Sequence, residues 1–194
     1  MAPSRLIFLV LLVSMLVFGI DGFASSGKKA PVQIEIARLP EDLEGIRECR
    51  TTEFSDKKYL TPWDLKFINA TSVAEGKVTC LVAKDTRTKK IIGTADCRKS
   101  NKDYVYVMNV QVNPEERGKG IGKLLILDGV EKFATSNQKS KVQLDVYTEN
   151  SVALNMYLKY GYSPLNILHA GMLSIANVFG ANLEVTMTKD IVQN

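Results

Sequence analysis

Short stretches in which apolar and polar residues alternate recur along the chain, and this period of two is typical of half-buried β-strands. They comprise residues 32–38, 78–83, 91–97, 104–112, 142–147 and 183–188. Between them, apolar residues three or four positions apart predict helices that begin near Pro40, after Gly122 and at Ser151. A helix joins the strand at 104–112 to the strand at 142–147, which predicts a parallel pair with a right-handed crossover. The pattern therefore predicts one α+β domain with a mixed sheet.

Residues 1–31 follow a different pattern and are predicted to lie outside the fold, which leaves residues 32–194 for the domain. Arg5 is the only charged residue before an apolar run at 6–20, and small residues follow that run. This order is typical of a cleaved secretory signal peptide. The basic, hydroxyl-rich stretch from Phe23 is similar to the second part of the bipartite presequences of algae with complex plastids. We expect entry into the secretory pathway and a plastid destination, and the alternative is a single-pass membrane anchor at 6–20.

Charge and cysteine content argue against several classes of function. The net charge of +4 is small, and charges of both signs are mixed along the chain. No nucleic-acid partner is predicted, although a polyanionic cofactor is compatible with this balance. Cys49, Cys80 and Cys97 lie far apart, and His169 is the only histidine. Neither a metal site nor a disulfide framework is predicted.

A glycine-rich loop joins the strand at 104–112 to the helix that follows it. After a turn at 114–116, residues 117–122 read Arg-Gly-Lys-Gly-Ile-Gly. Glycine lets the backbone approach a ligand closely, and the first turn of a helix presents N–H groups that have no partner inside the helix. The loop is therefore predicted to bind an anionic phosphate group, and Arg117 and Lys119 add positive charge. It fits neither the dinucleotide fingerprint G-x-G-x-x-G nor the P-loop G-x-x-x-x-G-K-[ST].

A second informative stretch runs from Asn150 to Tyr162 and fits the pattern N-x-x-A-x-x-x-Y-x-K-x-G-[FY]. Together with R-x-x-G-x-G at residues 117–122, it resembles the GNAT family of N-acetyltransferases. The two motifs stand in the family's order and at its spacing, with one strand between them. The resemblance covers about Val32 to Lys189 and is weakest at 54–74 and 164–182.

The resemblance implies a GNAT fold, acetyl-CoA as co-substrate and transfer of its acetyl group to a primary amine. The strands at 104–112 and 142–147 would splay apart, and the pantetheine arm of acetyl-CoA would lie in the gap. The N–H of Val110 would stabilise the oxyanion, and Tyr157 would donate a proton to the departing thiolate. Asn150 would either contact the pantetheine or cap its helix. The residues implied to bind acetyl-CoA are Asn109, Val110, Gln111, Val112, Arg117, Gly118, Lys119, Gly120, Ile121, Gly122 and Asn150.

The group that takes the proton from the attacking amine stays open. Some family members use a Glu on the strand before the loop, but residues 104–112 contain no Asp or Glu. Glu115, Glu116 and Asp145 are the nearby carboxylates in the sequence. Deprotonation through ordered water is an equal alternative.

Several acceptors are compatible with the sequence: a protein N-terminus or lysine, a polyamine, an arylalkylamine or another small amine. The apolar segment 165–179 is predicted to be a helix that packs on the domain, a homodimer contact or a wall of the acceptor pocket. Ser55 and Thr61 are predicted to begin two short helices, in which Leu65, Ile68 and Ala70 point inward. Trp63 and Phe67 are either core residues or pocket residues. A second class of function is a non-catalytic module that binds acetyl-CoA or CoA as a sensor, and such a module would not depend on Tyr157.

Overall fold

The computed structural model describes residues 31–52 and 62–191, with the backbone alone at 62–64. The predicted presequence therefore lies outside the described residues, apart from residue 31. A short helix predicted to begin at Ser55 and the side chain of Trp63 also lie outside them.

The elements follow the predicted order. In chain order they are β1 (Val32–Ile36), α1 (Leu43–Thr51), α2 (Pro62–Ile68), α3 (Thr71–Ala74), β2 (Thr79–Asp85), β3 (Ile91–Lys99), β4 (Tyr104–Val112), a 3₁₀ turn (Pro114–Glu116), α4, β5 (Lys141–Tyr147), α5 (Ser151–Lys159), β6 (Ser163–Pro164), α6 (Ile167–Phe179) and β7 (Glu184–Asp190). Helix α4 consists of three consecutive pieces, Ile121–Leu124, the π-helical Leu125–Glu131 and Lys132–Ser136. No helix in the described ranges has the length and hydropathy needed to cross a bilayer.

The strands form one sheet in the order β1-β2-β3-β4-β5-β7-β6. Every pairing in it is antiparallel except that of β4 with β5. That parallel pairing runs from Tyr104–Lys141 to Val107–Leu144 and then stops, although both strands continue. The mixed sheet and the parting of its two central parallel strands are both confirmed.

The two faces of the sheet carry separate cores. Helices α1 to α3 cover one face, here called the front face, where Ile46 packs with Val82 and Ile91. Helices α4 and α5 cover the other, the back face, where Leu125 and Tyr157 belong to the larger core. Residues that alternate along a strand point to opposite faces, so Leu144 lies on the back face and its neighbour Asp145 on the front face.

Two details of the first half differ from the sequence prediction. Helix α1 begins at Leu43 instead of near Pro40, because Asp42 is tied into a turn: its carboxylate accepts the N–H of Arg38 at 2.7 Å and the ammonium of Lys84 at 2.8 Å. Leu65 was predicted to point inward but is 47% exposed. It lies two residues before Phe67, which faces α1, and two residues turn a helix by more than half a circle.

The apolar segment 165–179 forms helix α6, which confirms that it is helical. Asn166 caps its start by accepting the N–H of His169, whose Nδ1 accepts the N–H of Thr186 on β7 at 3.0 Å. Met172 and Leu173 pack on the back-face core, while Ile167 is 92% and Phe179 is 78% exposed. The homodimer contact proposed for this segment stays a prediction.

Candidate active site

A cleft of about 690 Å³ opens where β4 and β5 part. The second half of β4 forms one side of it, the glycine-rich loop closes one end, and α5 forms the other side. Phe67 of α2 also reaches this cleft from the front face. No residue of α6 lines this cleft. If α6 forms a wall of the acceptor pocket, that wall lies outside the cleft.

The glycine-rich loop is anchored where it leaves β4. Asn113 Oδ1 accepts the N–H of Glu115, and the Nε of Arg117 donates to the carbonyl of Val112 at 3.1 Å. Gly118 and Gly120 have φ angles of +75° and +83°, which glycine adopts without a steric penalty. A Cβ at either position would meet no atom within 4 Å, so both glycines border open space. This geometry suits backbone N–H groups that face a large anion.

The structure brings nearly all of the predicted cofactor residues to this cleft. The residues that line it include Asn109, Val110, Gln111, Val112, Arg117, Gly118, Gly120, Ile121, Gly122 and Asn150. Lys119 does not line the cleft and forms an ion pair with Glu116 at 2.9 Å. The side chain of Ile121 is buried in the back-face core, so only its backbone is available to a ligand.

A β-bulge interrupts β4 where the cleft begins. Thr94 on β3 pairs with Gln111 and Asp96 pairs with Met108, so two residues of β4, Asn109 and Val110, face one residue of β3. Asn109 takes a left-handed conformation with a φ angle of +55°. Asn is one of the few non-glycine residues that adopt this conformation readily. The sequence pattern of β4 did not reveal the bulge.

A buried ion pair lies directly in front of the bulge. Arg50 Nη2 and Asp96 Oδ1 are 2.6 Å apart, and their side chains are 2% and 1% exposed. Asp96 also accepts a hydrogen bond from Asn109 Nδ2 at 2.8 Å. Arg50 donates further to the carbonyl of Phe67 at 3.2 Å and lies 4.8 Å from the centre of its ring. Within the described part of the chain, Arg50 Nε has no hydrogen-bond partner.

Gln111 points to the front face, away from the gap between β4 and β5. Its Nε2 donates to the carbonyl of Cys49 at 3.1 Å and to that of Arg50 at 3.4 Å, which are the last carbonyls of α1. Its contribution to a cofactor would therefore come from the backbone. Asn150 acts as a helix cap, since its Oδ1 accepts the N–H of Ala153 at 3.2 Å.

Tyr157 combines the two roles considered for it. It is 5% exposed and belongs to the back-face core, and it also lines the cleft. Its ring lies 5.6 Å from that of Tyr162. Burial raises the pKa of the Tyr157 hydroxyl to about 12, because the phenolate loses hydration in an apolar environment. The hydroxyl therefore carries its proton throughout the physiological pH range.

Asp145 lies on the opposite side of the sheet, one residue after the last β4–β5 pair. Its carboxylate is exposed and accepts hydrogen bonds from the hydroxyls of Tyr106 and Thr186, the latter at 2.7 Å. Burial and then the hydrogen bond to Asp145 raise the pKa of Tyr106, so Tyr106 stays a donor. Of the carboxylates considered from sequence, Asp145 is held by two donors but does not line the cleft, whereas Glu116 lines it and is paired with Lys119.

No group of three or more His, Cys, Asp and Glu side chains that could hold a metal ion occurs among the described residues. The three cysteines are buried, and no disulfide joins any two of them.

The comparison with known families identifies the chain. A family model described as "Acetyltransferase (GNAT) family" matches residues 43–162. The chain belongs to the GNAT family. Members of this family transfer acetyl groups from acetyl-CoA, and the protein is accordingly an acyltransferase. The open glycine loop and the cleft between β4 and β5 fit acetyl-CoA as the co-substrate.

Solved structures of other GNAT proteins have the same fold. A GNAT acetyltransferase from Staphylococcus aureus Mu50 is 14% identical, with a TM-score of 0.61 over 84% of this chain and 100% of its own. The ribosomal-protein-S18-alanine N-acetyltransferase from Escherichia coli is 15% identical, with a TM-score of 0.60 over 84% and 96%. A chimera of the spermidine N-acetyltransferases from Vibrio cholerae and hSSAT is 18% identical, with a TM-score of 0.58 over 82% and 95%. No curated protein sequence matches significantly.

Three features of this GNAT site were missed from the sequence: the bulge in β4, the Arg50–Asp96 pair and the environment of Asp145. One signal was present for the ion pair. Asp96 stands at the centre of β3, where residues 91–97 are otherwise uncharged, and a charged residue at such a position needs a buried partner. The partner itself is 46 residues away along the chain, and no local pattern points to it.

We expect Gly120→Ala to weaken acetyl-CoA binding about tenfold, because an Ala at this φ angle is strained by about 1–2 kcal/mol and the loop must move to relieve it. Calorimetric titration of acetyl-CoA measures the change. Gly171→Ala is the matched control, since Gly171 lies in α6 outside the left-handed region and a Cβ there meets no atom within 4 Å. Equal affinities of wild type and Gly120→Ala would contradict the assignment of the loop.

Proposed function

We propose that the protein is an N-acetyltransferase that acetylates a primary amine by direct attack, with acetyl-CoA and the amine bound together. The observation that carries this proposal is the cleft that the second half of β4, the glycine-rich loop and Tyr157 line together. Acetyl-CoA supplies the activated acyl group as a thioester. Its pyrophosphate would be held by the loop at 117–122, and its acyl end would then lie near the bulge.

The bulge supplies the group that stabilises negative charge. The backbone N–H of Val110 donates a hydrogen bond to the acyl carbonyl oxygen, on which charge develops during attack. Such a donor is effective because it is fixed before the reaction begins and lies in a site with little water. Val110 is half-buried and packs against the back-face core, which holds its backbone in place.

Tyr157 is the proposed general acid. It reaches the cleft from the back face and donates its proton to the sulfur that leaves when the new amide bond forms. Its pKa of about 12 keeps the proton available, and the buried phenol has few competing polar contacts. On this basis the pH dependence of kcat has no alkaline limb from Tyr157 below about pH 11.

We expect Tyr157→Phe to lower kcat about 10²–10⁴-fold while leaving the affinity for acetyl-CoA unchanged, since only the proton donor is removed. Steady-state kinetics with an accepted amine and calorimetry with acetyl-CoA together measure this. Tyr104→Phe is the control, because Tyr104 lies at the other end of β4, outside the cleft. An unchanged kcat would rule out the acid role. A wild type that binds acetyl-CoA but acetylates no amine would favour the sensor alternative instead.

Asp145 is the proposed acceptor of the proton that the amine loses. It faces the front side of the sheet, opposite Tyr157, at the residue where the two strands part. An amine that approaches from the front face would pass this carboxylate. The hydroxyls of Tyr106 and Thr186 fix its orientation.

We expect Asp145→Asn to lower kcat at neutral pH at least about 10²-fold, because the amide has the shape of the carboxylate but accepts no proton. Acetyl-CoA affinity should not change. Asp128→Asn is the control, since Asp128 lies on α4 and pairs with Lys132. If kcat is unchanged in Asp145→Asn, ordered water and not Asp145 takes the proton.

The proposed acceptor is a primary amine of a protein or of a small molecule. The solved structures that share the fold include enzymes named for an alanine of ribosomal protein S18 and for spermidine. Measuring acetyl transfer to an N-terminal peptide, a lysine peptide and spermidine under the same conditions separates these acceptors. No transfer to any amine would contradict the proposed function.

We also propose that residues 1–31 direct the protein into the secretory pathway and on to a complex plastid, and are then removed. The pattern of Arg5, the uncharged run at 6–20 and the basic stretch from Phe23 supports this proposal. Mass spectrometry of the mature N-terminus tests it. An intact Met1 would favour a retained membrane anchor at 6–20 instead.

A further inference from the structure

Three polar side chains form a continuous chain of contacts from the front-face helices to the bulge. Arg50 on α1 pairs with Asp96 on β3 at 2.6 Å, and Asp96 accepts from Asn109 on β4 at 2.8 Å. Each oxygen of the Asp96 carboxylate has its own donor, so the carboxylate cannot turn without losing one of the two contacts. This chain ends at the residue before Val110.

The bulge needs such support. β4 loses its β5 partner after Val107, so beyond that point its backbone is paired on one side only. Asn109 also takes a conformation that costs a non-glycine residue free energy, and such conformations persist when surrounding contacts determine them. The hydrogen bond to Asp96 is the side-chain contact of Asn109 that the structure shows.

We propose that Arg50, Asp96 and Asn109 are positioning residues that fix the bulge and so aim the Val110 N–H at the acyl oxygen. This inference rests on the proposed function and deepens it, because none of the three has to touch the reacting atoms. Arg50 holds Asp96, Asp96 holds the Asn109 side chain, and Asn109 sets the backbone direction at Val110.

Burial of Arg50 and Asp96 makes their part of the chain of contacts rigid. A carboxylate that is almost fully buried is stable only when its lone pairs are occupied by donors, so a displaced Asn109 would leave a charged oxygen unsatisfied. Arg50 also contacts α2: it donates a hydrogen bond to the carbonyl of Phe67 and lies over its ring, and Phe67 lines the cleft. A movement of α2 when an acceptor binds would therefore reach the bulge through the same three side chains.

Asn109→Gly tests the proposal without straining the backbone. Glycine adopts the φ angle of +55° freely, so a purely conformational role of Asn109 would be preserved or improved. Gln138→Gly is the matched control, because Gln138 has the same φ angle of +55°, is exposed and lies outside the cleft. Two readouts are compared: hydrogen exchange of residues 108–112 in the free protein, and kcat and KM with an amine that the wild type acetylates.

The proposal predicts about tenfold faster exchange at 108–112 in Asn109→Gly and a kcat lower by about 10- to 100-fold, with little change in KM for acetyl-CoA. Gln138→Gly should match the wild type in both readouts. Wild-type exchange and wild-type kcat in Asn109→Gly would overturn the proposal. If the wild type acetylates no amine, the proposed function fails, whereas the exchange readout still decides whether the three residues hold the bulge.

Asp96→Asn gives a second test of the same contact. An amide at position 96 has one acceptor oxygen, which cannot accept from both Arg50 and Asn109. If Asp96 acts through Asn109, the double variant Asp96→Asn, Asn109→Gly should therefore be no slower than the slower single variant. Effects on kcat that multiply in the double variant would show that the two residues act separately. Should Asp96→Asn fail to fold with Arg50 left unpaired, the Asn109→Gly comparison decides alone.

Discussion

The active site depends on the point at which two parallel strands stop pairing. β4 and β5 exchange backbone hydrogen bonds over four residue pairs, from Tyr104–Lys141 to Val107–Leu144, and then separate. Backbone groups inside a protein must find partners, and a ligand in the gap can satisfy those that the separation exposes. The cleft, which Tyr157 lines from the back face, lies at this point of separation.

Separated strands would be a weakness without support from both faces. On the back face, α4 and α5 pack over the strands with apolar side chains. On the front face the support is polar: Arg50, Asp96, Asn109 and Gln111 connect α1 to the half of β4 that has lost its neighbour. A buried ion pair gives little net stability compared with apolar packing, but it requires specific geometry. Such a requirement suits a strand whose backbone must point in one direction.

Much of this arrangement could be predicted from the sequence, because its strongest signals are local. Alternation marked the strands, and the motifs at 117–122 and 150–162 placed the loop and α5 on either side of β5. The parallel β4–β5 pair followed from the helix between them. These predictions depend on neighbouring residues, whose spacing is visible in the chain.

Other features depend on contacts between distant residues and were missed for that reason. The bulge at Asn109 arises from the register of β4 against β3, and alternation along one strand does not show register. Arg50 stands in the last turn of an amphipathic helix, where a charged side chain is usually exposed. It is only 1% exposed because Asp96 and Phe67 enclose it. Leu65 was placed inward from its apolar character alone. Asp145 was one of several carboxylates in the sequence until the sheet placed it between two hydroxyl donors.

We propose that acetyl-CoA binds between the separated halves of β4 and β5. Hydrogen exchange of the whole protein, measured with and without saturating acetyl-CoA, tests this binding mode most directly. We expect slower exchange at residues 109–112 and 117–124 and in the first two turns of α5, with no change in β1, β2 or α6. Protection elsewhere, or none at 109–112 despite saturable binding, would contradict it.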